Sequence, residues 1–501
     1  AASLAAVCLA ACALGGWRPR RAVRADRRPA PFRLTQASPN GTWAAQAACL
    51  NPMVAEDTFW TKSLSERAMV DHELLGWELL QVTDMQRHAD RWLYRHDNID
   101  NTCWPRQLNS SAAAMKSQCS FVRDSLWAAF PREPDPYASP DRGHCNLKQI
   151  TLSGLQHARR LGSILAAEYA RGGRHPLRGL ATSGCKAGSV LLASDSVEKN
   201  ERTIEEVYTG LCGWAPTLSE FPASKVLVNY TTNLPGSPFW LKAGVCGGPR
   251  LAAYSADAAE AQAIELGYQA AQARRLVEEV SRVSGHPLPD NVAEYRSFLA
   301  SIIDCTVCHA CLGLDDSPSS LLNKQGYPDG AGLFGRLDRA ETAGVLWPLE
   351  YFRDQRPDDY RHFAQLQYGY YFVVLADRMQ AVVDAVRQNH SVPSPVIAVQ
   401  VMSDTNLSPQ LFMLGLAEEA AVRPPWLSTL ITELWVKGEG GGAAFAVRVL
   451  YNGRIQRPCR GQRGPLCPWS DFRPMLTRFA PPRAECAAFY DNYELKSSLT
   501  L

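Results

Sequence analysis

The sequence has no excess of charge of either sign. Its 52 lysine and arginine residues are balanced by 50 aspartate and glutamate residues, so the formal net charge of the 501-residue chain is +2. Proteins that bind nucleic acid along a broad surface carry dense basic patches, because those patches must neutralise many phosphates. Nucleic acid is therefore not expected as a partner.

The chain also lacks the compositional bias of a fibrous or disordered protein. Hydrophobic residues make up 46% and charged residues 20% of the sequence, which is ordinary usage for a globular protein. A chain of this length exceeds the usual size of one hydrophobic core. We expect either two domains or one large α/β domain with a sizeable insertion.

A long apolar segment is missing at the N-terminus, where the run Ala1–Gly16 is too short to cross a bilayer comfortably. An arginine-rich stretch follows it. We interpret residues 1–30 as the remnant of a secretory signal peptide or signal anchor with a basic tail, and residues 31–501 as the folded domain. An organellar transit peptide is the alternative. Any membrane attachment is expected only through this N-terminal segment.

Cysteine usage and glycosylation sequons favour the secretory reading. The chain has 15 cysteines, which is heavy usage for a reducing compartment. Asn-x-Ser/Thr sequons stand at Asn40, Asn109, Asn229, Asn389 and Asn406. We therefore predict a glycosylated, disulfide-bonded protein of the secretory pathway lumen, such as the Golgi, or of the cell surface.

Hydrophobic periodicity predicts alternating strands and helices after residue 145. Residues 40–145 show no clear periodicity and predict no element. The fold class is α/β, a mixed and mostly parallel sheet flanked by helices, with a helical cap insertion at about residues 212–345. The elements expected are helices at 153–171, 201–211, 252–284, 292–303, 360–388 and 408–416, and strands at 189–193, 395–401, 427–435 and 443–450.

Three segments carry a family resemblance. The most specific is Ser403, Asp404 and Leu407, which resembles a His-Asp-x-x-Leu motif and is followed by two strand-like segments at 430–435 and 447–453. Residues 145–162 resemble a Gln-Leu-Thr-x-x-Gly helix, and residues 308–311 resemble a Cys-His-x-Cys element. On these segments the chain resembles the histidine acid phosphatase family, most closely its 2-phosphoxylose phosphatase branch.

The resemblance implies a specific chemistry. Members of that family use a histidine nucleophile within an Arg-His-Gly-x-Arg motif, a cradle of arginines, and an acid that protonates the leaving oxygen. No metal or other cofactor is implied. The complete motif occurs nowhere in this chain. Arg-His pairs occur at four places, and none is followed by glycine: Arg87-His88, Arg95-His96, Arg174-His175 and Arg361-His362.

Three segments are considered for the place of that motif. Arg33 begins one that has leucine at the nucleophile, and Arg123 belongs to a second that has aspartate there. The third, Arg95 with His96, keeps the histidine but lacks the glycine and the second arginine. These alternatives remain open at this stage.

The remaining site positions depart from the family pattern. Either Lys199 or Arg202 takes the place of a third cradle arginine, and lysine lacks the planar fork of arginine. Ser403 replaces the motif's phosphate-binding histidine, whereas Asp404 matches the proton donor. Structural uses are equally open: Asp404 as a helix cap, and Arg202 as a solvated helix residue paired with a nearby glutamate.

We therefore predict a catalytically impaired pseudophosphatase with a binding or assembly role, whose partner is a phosphorylated glycan or a protein assembly. The alternative is an active acid phosphomonoesterase acting on a phosphorylated sugar, such as phosphoxylose in a proteoglycan linkage. That alternative would use His96 as nucleophile, Arg95 and Arg202 as cradle, and Asp404 as acid.

Overall fold

The computed structural model divides the chain into two units, Ala1–Pro39 and Asn40–Leu501, and all described residues lie in the second. The residues that the structure describes are 49–59, 72–91, 150–170, 172–177, 180, 185, 189–195, 198–213, 226–229, 246, 248–284, 287–289, 295, 298–299, 301–304, 308, 345–487 and 489–491.

A mixed sheet forms the centre of the described part. Its order is β3-β2-β4-β1-β5-β6-β7, with β8 beside β6. The first four strands in that order pair in parallel, and the pairings from β1 onward to β8 are antiparallel. The strands are β1 Glu78–Arg87, β2 Val190–Asp195, β3 Val226–Asn229, β4 Ile397–Met402, β5 Thr429–Lys437, β6 Ala444–Tyr451, β7 Arg454–Gln456 and β8 Cys467–Pro468.

Helices cover both faces of this sheet. They are α1 Pro52–Ala55, α2 Leu152–Tyr169, α3 Glu198–Cys212, α4 Gly248–Ser284, α5 Pro357–Arg387, α6 Asp404–Met413, α7 Ala417–Ala420 and α8 Trp469–Thr477, with short 3-10 turns at Gly440–Gly442 and Arg483–Glu485. One hydrophobic core lies between the sheet and α1, α2 and α3. The second core joins the sheet to α4, α5, α6 and α8. The predicted α/β class, with a mixed sheet flanked by helices, is confirmed.

The parallel strands bring their carboxyl ends to one edge of the sheet. Arg87 of β1 lies opposite Met402 of β4, and Val401 of β4 lies opposite Ser194 of β2. In open α/β sheets, loops that follow the carboxyl ends of neighbouring parallel strands form the usual ligand site. The segments that follow β1, β4 and β2 therefore lie close together.

Most predicted elements agree with the observed ones to within a few residues, but strand β1 was not predicted. All of its residues except Glu78 are buried, and several of them are polar: Gln81, Thr83, Asp84, Gln86 and Arg87. A strand buried on both faces has no alternation of apolar and polar residues. The polar residues also break the continuous apolar run that would otherwise mark such a strand.

Disulfides tie distant segments of the described chain. Cys185 bonds Cys212 at the end of α3, and Cys246 before α4 bonds Cys486, 240 residues later. A third bond joins Cys459 and Cys467. Among the described residues, Cys308 is a free cysteine and is buried. The predicted presence of disulfides is confirmed.

In the described part of the chain, no helix combines the length and the apolar character that crossing a membrane requires.

A buried carboxyl in β1 predicts a pH-dependent stability. The Asp84 side chain is fully buried, and both its oxygens lack a hydrogen-bond partner. Burial raises the pKa of Asp84 to about 8, whereas an aspartate in an unfolded chain titrates near pH 4. Between these values only the unfolded state ionises, so stability falls as pH rises through this window.

We expect Asp84→Asn to remove the fall in stability that occurs as the pH rises. Its thermal midpoint should equal that of the unmodified protein near pH 4 and exceed it by several degrees at pH 8. Asp384→Asn, which changes an exposed carboxyl on α5, is the matched control and should show no such divergence. Equal midpoints for Asp84→Asn and the unmodified protein at both pH values would contradict the prediction.

Candidate active site

The site forms where β1 ends. Arg87 closes the strand, and the following residues 88–91, hereafter the 88–91 loop, carry His88 and Arg91. Both residues are buried, as is Arg87. Arg87, His88 and Arg91 have the spacing of the family's Arg-His-Gly-x-Arg motif, with Ala89 at the glycine position. The three segments considered for that motif from the sequence lie outside the described residues, and residues 87–91 are a further candidate for it.

Backbone hydrogen bonds fix His88 between two neighbouring segments. Its N–H donates to the carbonyl of Met402 at 2.9 Å, and its carbonyl accepts from the N–H of Leu427 at 3.1 Å. Because Met402 ends β4, His88 lies directly beside Ser403 and Asp404. The chain thus holds the histidine and the acid of the two motifs together through main-chain contacts.

Ala89 connects the loop to helix α3. Its N–H donates to Oγ1 of Thr203 at 3.0 Å, and that hydroxyl donates to the carbonyl of Lys199 at 2.6 Å. Ala89 is not among the described residues with positive φ, so glycine is not required there by the backbone conformation. Alanine at the motif's third position is therefore compatible with the loop.

Asp90 connects the loop to helix α2. Its carbonyl accepts from the N–H of Thr151 at 3.0 Å, and Thr151 Oγ1 caps the helix by accepting from Gly154 N–H at 3.0 Å. The Asp90 carboxylate lies 2.8 Å from Nδ1 of His157, and this hydrogen bond raises the pKa of His157. The Thr-x-x-Gly pattern of the sequence therefore anchors the loop.

His88 is held as a neutral imidazole of one tautomer. Burial lowers its pKa well below the usual value, and the positive charges of Lys199, Arg87 and Arg91 lower it further. Its Nδ1 lies 2.8 Å from the Ala89 carbonyl. Since a carbonyl oxygen only accepts, Nδ1 carries the proton and Nε2 has the free lone pair.

Asp404 is paired with two arginines. Its Oδ2 lies 2.9 Å from Nη2 of Arg87 and 3.1 Å from Nε of Arg423. Burial alone would raise the pKa of this carboxyl, but the charges of Arg87 and Arg423 hold it well below its usual range. Without an anion bound at the site, Asp404 is a carboxylate.

A second carboxylate comes from the segment between β3 and β4. Asp304 binds Arg91 through two hydrogen bonds, from Nη2 to Oδ1 at 2.5 Å and from Nη1 to Oδ2 at 3.1 Å. Its Oδ1 also lies 3.8 Å from Nη2 of Arg423. Cys308 lies close by, with Sγ 4.0 Å from Nη1 of Arg91. Burial raises the pKa of this thiol to about 12, so it is protonated.

The structure separates the two residues considered for the third cradle position. Lys199 is buried, and its charge acts on both His88 and Asp404. Arg202 pairs with Glu205 at 2.5 Å on the same helix. The predicted pairing of Arg202 agrees, but its predicted solvation is wrong, because only 8% of its side chain is exposed. Lys199 is thus the basic side chain of α3 that acts on the histidine.

Ser403 precedes the first turn of α6 and does not cap it through its side chain. Its hydroxyl lies 2.6 Å from Oγ1 of Thr405 and donates to Oδ1 of Asn406 at 2.9 Å. The expectation that Asp404 caps a helix beginning near Ser408 is wrong, because α6 already begins at Asp404.

Several predicted residues lie outside the described part of the chain. For the first motif these are Arg33, Arg95, His96 and Arg123, and for glycosylation they are Asn40 and Asn109. Asn229 ends β3. Asn389 is exposed and Asn406 is half-buried beside Ser403. Glycosylation stays a prediction at each sequon.

Five residues of the candidate site were not predicted from the sequence: Arg87, His88, Arg91, Arg423 and Asp304. The first three had a usable signal, since Arg91 stands at motif spacing after Arg87-His88, but the requirement for glycine after histidine excluded them. Arg423 and Asp304 belong to no motif, and only the fold brings them to the site. In the described residues, no group of three or more His, Cys, Asp or Glu side chains could hold a metal ion.

The 88–91 loop packs closely against helix α2 at Gly154. A Cβ atom there would lie 2.3 Å from the Asp90 carbonyl oxygen, closer than any van der Waals contact. We expect Gly154→Ala to displace the 88–91 loop and to destabilise the protein by about 1–3 kcal/mol. Gly441→Ala is the control, because a Cβ there meets nothing within 4 Å. Thermal unfolding measures both, and equal midpoints would disprove the tight packing.

The sequence matches no known family model and no curated protein. Solved structures do show similarity. A phytase from Citrobacter braakii has a TM-score of 0.48 at 13% identity, over 82% of this chain and 99% of that chain. A phytase from Klebsiella sp. ASR1 has a TM-score of 0.45 at 16% identity, over 82% and 96%. A Bifidobacterium longum multiple inositol polyphosphate phosphatase, in complex with inositol hexasulfate, has a TM-score of 0.47 at 12% identity, over 86% and 96%.

Proposed function

We propose that the protein is a phosphomonoester hydrolase in which His88 takes up the phosphoryl group. The observation that supports this is a buried, neutral imidazole with its proton on Nδ1, placed between basic side chains. A neutral imidazole is nucleophilic, and fixed guanidinium groups neutralise the charge of the phosphate oxygens. The proposal corresponds to the active alternative of the sequence analysis, with His88 in the place of His96.

The first step is attack of His88 Nε2 on phosphorus. The bond between phosphorus and the ester oxygen breaks, and Asp404 gives that oxygen a proton, so that an alcohol leaves. The product is a phosphohistidine. Arg87, Arg91 and Lys199 stabilise the charge on the transferring group, since their charges already act on His88.

The second step is hydrolysis of the phosphohistidine. Water attacks phosphorus, its proton passes to the Asp404 carboxylate, and the bond to Nε2 breaks to release phosphate and neutral His88. The proton on Nδ1 stays there throughout and is donated in a hydrogen bond to the Ala89 carbonyl. Asp404 thus acts as acid in the first step and as base in the second.

Asp404 must gain a proton before the first step. In the unliganded site its pKa lies well below the usual range because of Arg87 and Arg423. A phosphate dianion bound to the same basic side chains opposes their charge and so raises the pKa of Asp404. Substrate binding would therefore itself prepare the acid.

Two substitutions relative to the family pattern limit the rate that we expect. Lys199 carries one point charge in the place of an arginine fork, and the Ser403 hydroxyl contacts Thr405 and Asn406 in the place of a phosphate-binding imidazole. Both substitutions weaken contacts with phosphate oxygens without removing the nucleophile. We expect a slow enzyme with acidic to neutral activity.

The substrate that we propose is a phosphorylated sugar, as the family resemblance implies, met in the secretory pathway or outside the cell. The disulfides support that compartment, because such bonds persist where the environment is oxidising.

The nucleophile is tested by His88→Ala. We expect hydrolysis of p-nitrophenyl phosphate to fall by at least about a thousandfold, because the proposed covalent intermediate forms on His88. Acid-labile labelling by radioactive phosphate should disappear with it. His390→Ala, at an exposed position, should retain full activity. Turnover by His88→Ala at the unmodified rate would exclude the proposal.

The acid is tested by Asp404→Asn with two substrates. A p-nitrophenolate leaving group departs without a proton, whereas an alkoxide does not. We therefore expect the loss in rate to be roughly 100-fold greater for an alkyl phosphate than for p-nitrophenyl phosphate. Equal losses for the two substrates would show that Asp404 acts by its charge and not as a proton donor.

The second candidate is the pseudophosphatase of the sequence analysis. The pairing of Asp404 with two arginines and the loss of the imidazole at Ser403 favour it. Such a protein would bind phosphate or a phosphorylated glycan and hydrolyse no ester. This candidate would be favoured over the enzyme if the unmodified protein bound phosphate but hydrolysed no phosphomonoester, and if His88→Ala left phosphate binding unchanged.

A further inference from the structure

The guanidinium of Arg91 donates hydrogen bonds to a carboxylate that belongs neither to the sheet nor to the 88–91 loop. Asp304 lies in the helical residues 301–304 of the segment between β3 and β4, within the range expected to be a cap insertion. Its two oxygens accept one hydrogen bond each from Nη1 and Nη2 of Arg91. This paired geometry fixes both the position and the plane of a guanidinium.

The pair belongs to a chain of alternating charges around His88. It runs from Arg91 to Asp304 at 2.5 Å, on to Arg423 at 3.8 Å, then to Asp404 at 3.1 Å and to Arg87 at 2.9 Å. This series of ion pairs therefore begins at Arg91 and ends at Arg87, which lie on opposite sides of His88 in the sequence.

We propose that Asp304 is a positioning residue, which acts through Arg91 to hold the oxyanion-binding geometry beside His88. The proposal rests on the proposed function, because it concerns how that site binds phosphate. Arginine has five N–H donors, and the fork to Asp304 uses two. Pairing with Asp304 therefore does not exhaust the hydrogen-bond donors of the guanidinium.

Burial separates this pair from an ordinary surface ion pair. The side chains of Arg91 and Asp304 are 5% and 11% exposed. A surface pair contributes little, whereas removing one partner of a buried pair leaves a charge that lacks compensation. Loss of Asp304 would release the fork of Arg91 and alter the binding of an anion beside it.

The geometry assigns a role to the segment between β3 and β4. That segment supplies a residue to a site otherwise formed by strand ends and helix α3. We expect changes that displace Asp304 within this segment to alter phosphate binding.

The experiment measures binding and turnover separately. Asp304→Asn removes the charge at nearly constant size, and Asp304→Glu keeps it on a longer side chain. Glu278→Gln is the control, since Glu278 forms an exposed ion pair with Arg274 in the same segment. Calorimetry gives the dissociation constant of inorganic phosphate, and kinetics with p-nitrophenyl phosphate gives kcat and KM.

We expect Asp304→Asn to weaken phosphate binding by about tenfold or more, with a larger loss in kcat than in KM. Asp304→Glu should bind phosphate with intermediate affinity, and Glu278→Gln should be unchanged. In an Arg91→Gln background, Asp304→Asn should have no further effect, because Asp304 acts through Arg91.

Unchanged phosphate binding by Asp304→Asn would overturn the proposal, and so would tighter binding, which would make Asp304 a competitor of phosphate for Arg91. If Asp304→Asn does not fold, Asp304→Glu takes its place in the test. Weaker phosphate binding by Asp304→Glu would support the proposal, and unchanged or tighter binding would overturn it. If the unmodified protein binds phosphate but shows no turnover, the proposed hydrolase function fails, while the binding measurements still test Asp304.

Discussion

The ion pair between Arg87 and Asp404 joins the ends of two central parallel strands, and the rest of the site is arranged around it. The register of β1 against β4 sets Arg87 opposite Met402. The residues that directly follow each strand are therefore neighbours. His88 and Asp404 are therefore neighbours because of backbone pairing. The side-chain contact at 2.9 Å is a consequence of that register and also reinforces it, because it neutralises two charges at the sheet edge.

The same arrangement explains the unusual electrostatics. Several basic side chains are concentrated at the carboxyl edge of the sheet, where burial would make an isolated charge costly. Asp304 and Asp404 compensate three of them: Arg87, Arg91 and Arg423. Burial, together with the charges of Lys199, Arg87 and Arg91, keeps His88 neutral, and the charges of Arg87 and Arg423 keep Asp404 ionised. A site in this state is suited to receive an anion, and the anion would in turn change the protonation of the acid.

The sequence predicted the fold class and most of the later elements because those elements have clear periodicity. Helix α2 has its buried residues Ala158, Leu161, Leu165 and Tyr169 at helical spacing, and β5 and β6 are rich in β-branched and aromatic residues. Strand β1 was not predicted, because burial on both faces removes alternation and its polar residues break the apolar run. The proposed nucleophile, His88, was missed for the same reason: without a predicted strand before Arg87-His88, only an exact motif match could have identified the pair. Lys199 and Arg202 could not be separated either, since they are three residues apart on α3 and lie near the same face of the helix.

By itself the sequence determined the α/β class and the presence of disulfides, and it singled out Asp404 after a short β-branched strand as a candidate site residue. These properties depend on local pattern and on residue type. Only the tertiary structure decided that Arg87–Arg91 is the loop beside Asp404, that Lys199 and not Arg202 acts on His88, and that Arg423 and Asp304 complete the site. Those contacts join residues far apart in the chain, and they follow from strand register, from helix rotation and from the packing of the segment between β3 and β4 against the sheet edge. No local pattern encodes them, because each depends on two segments being folded at once.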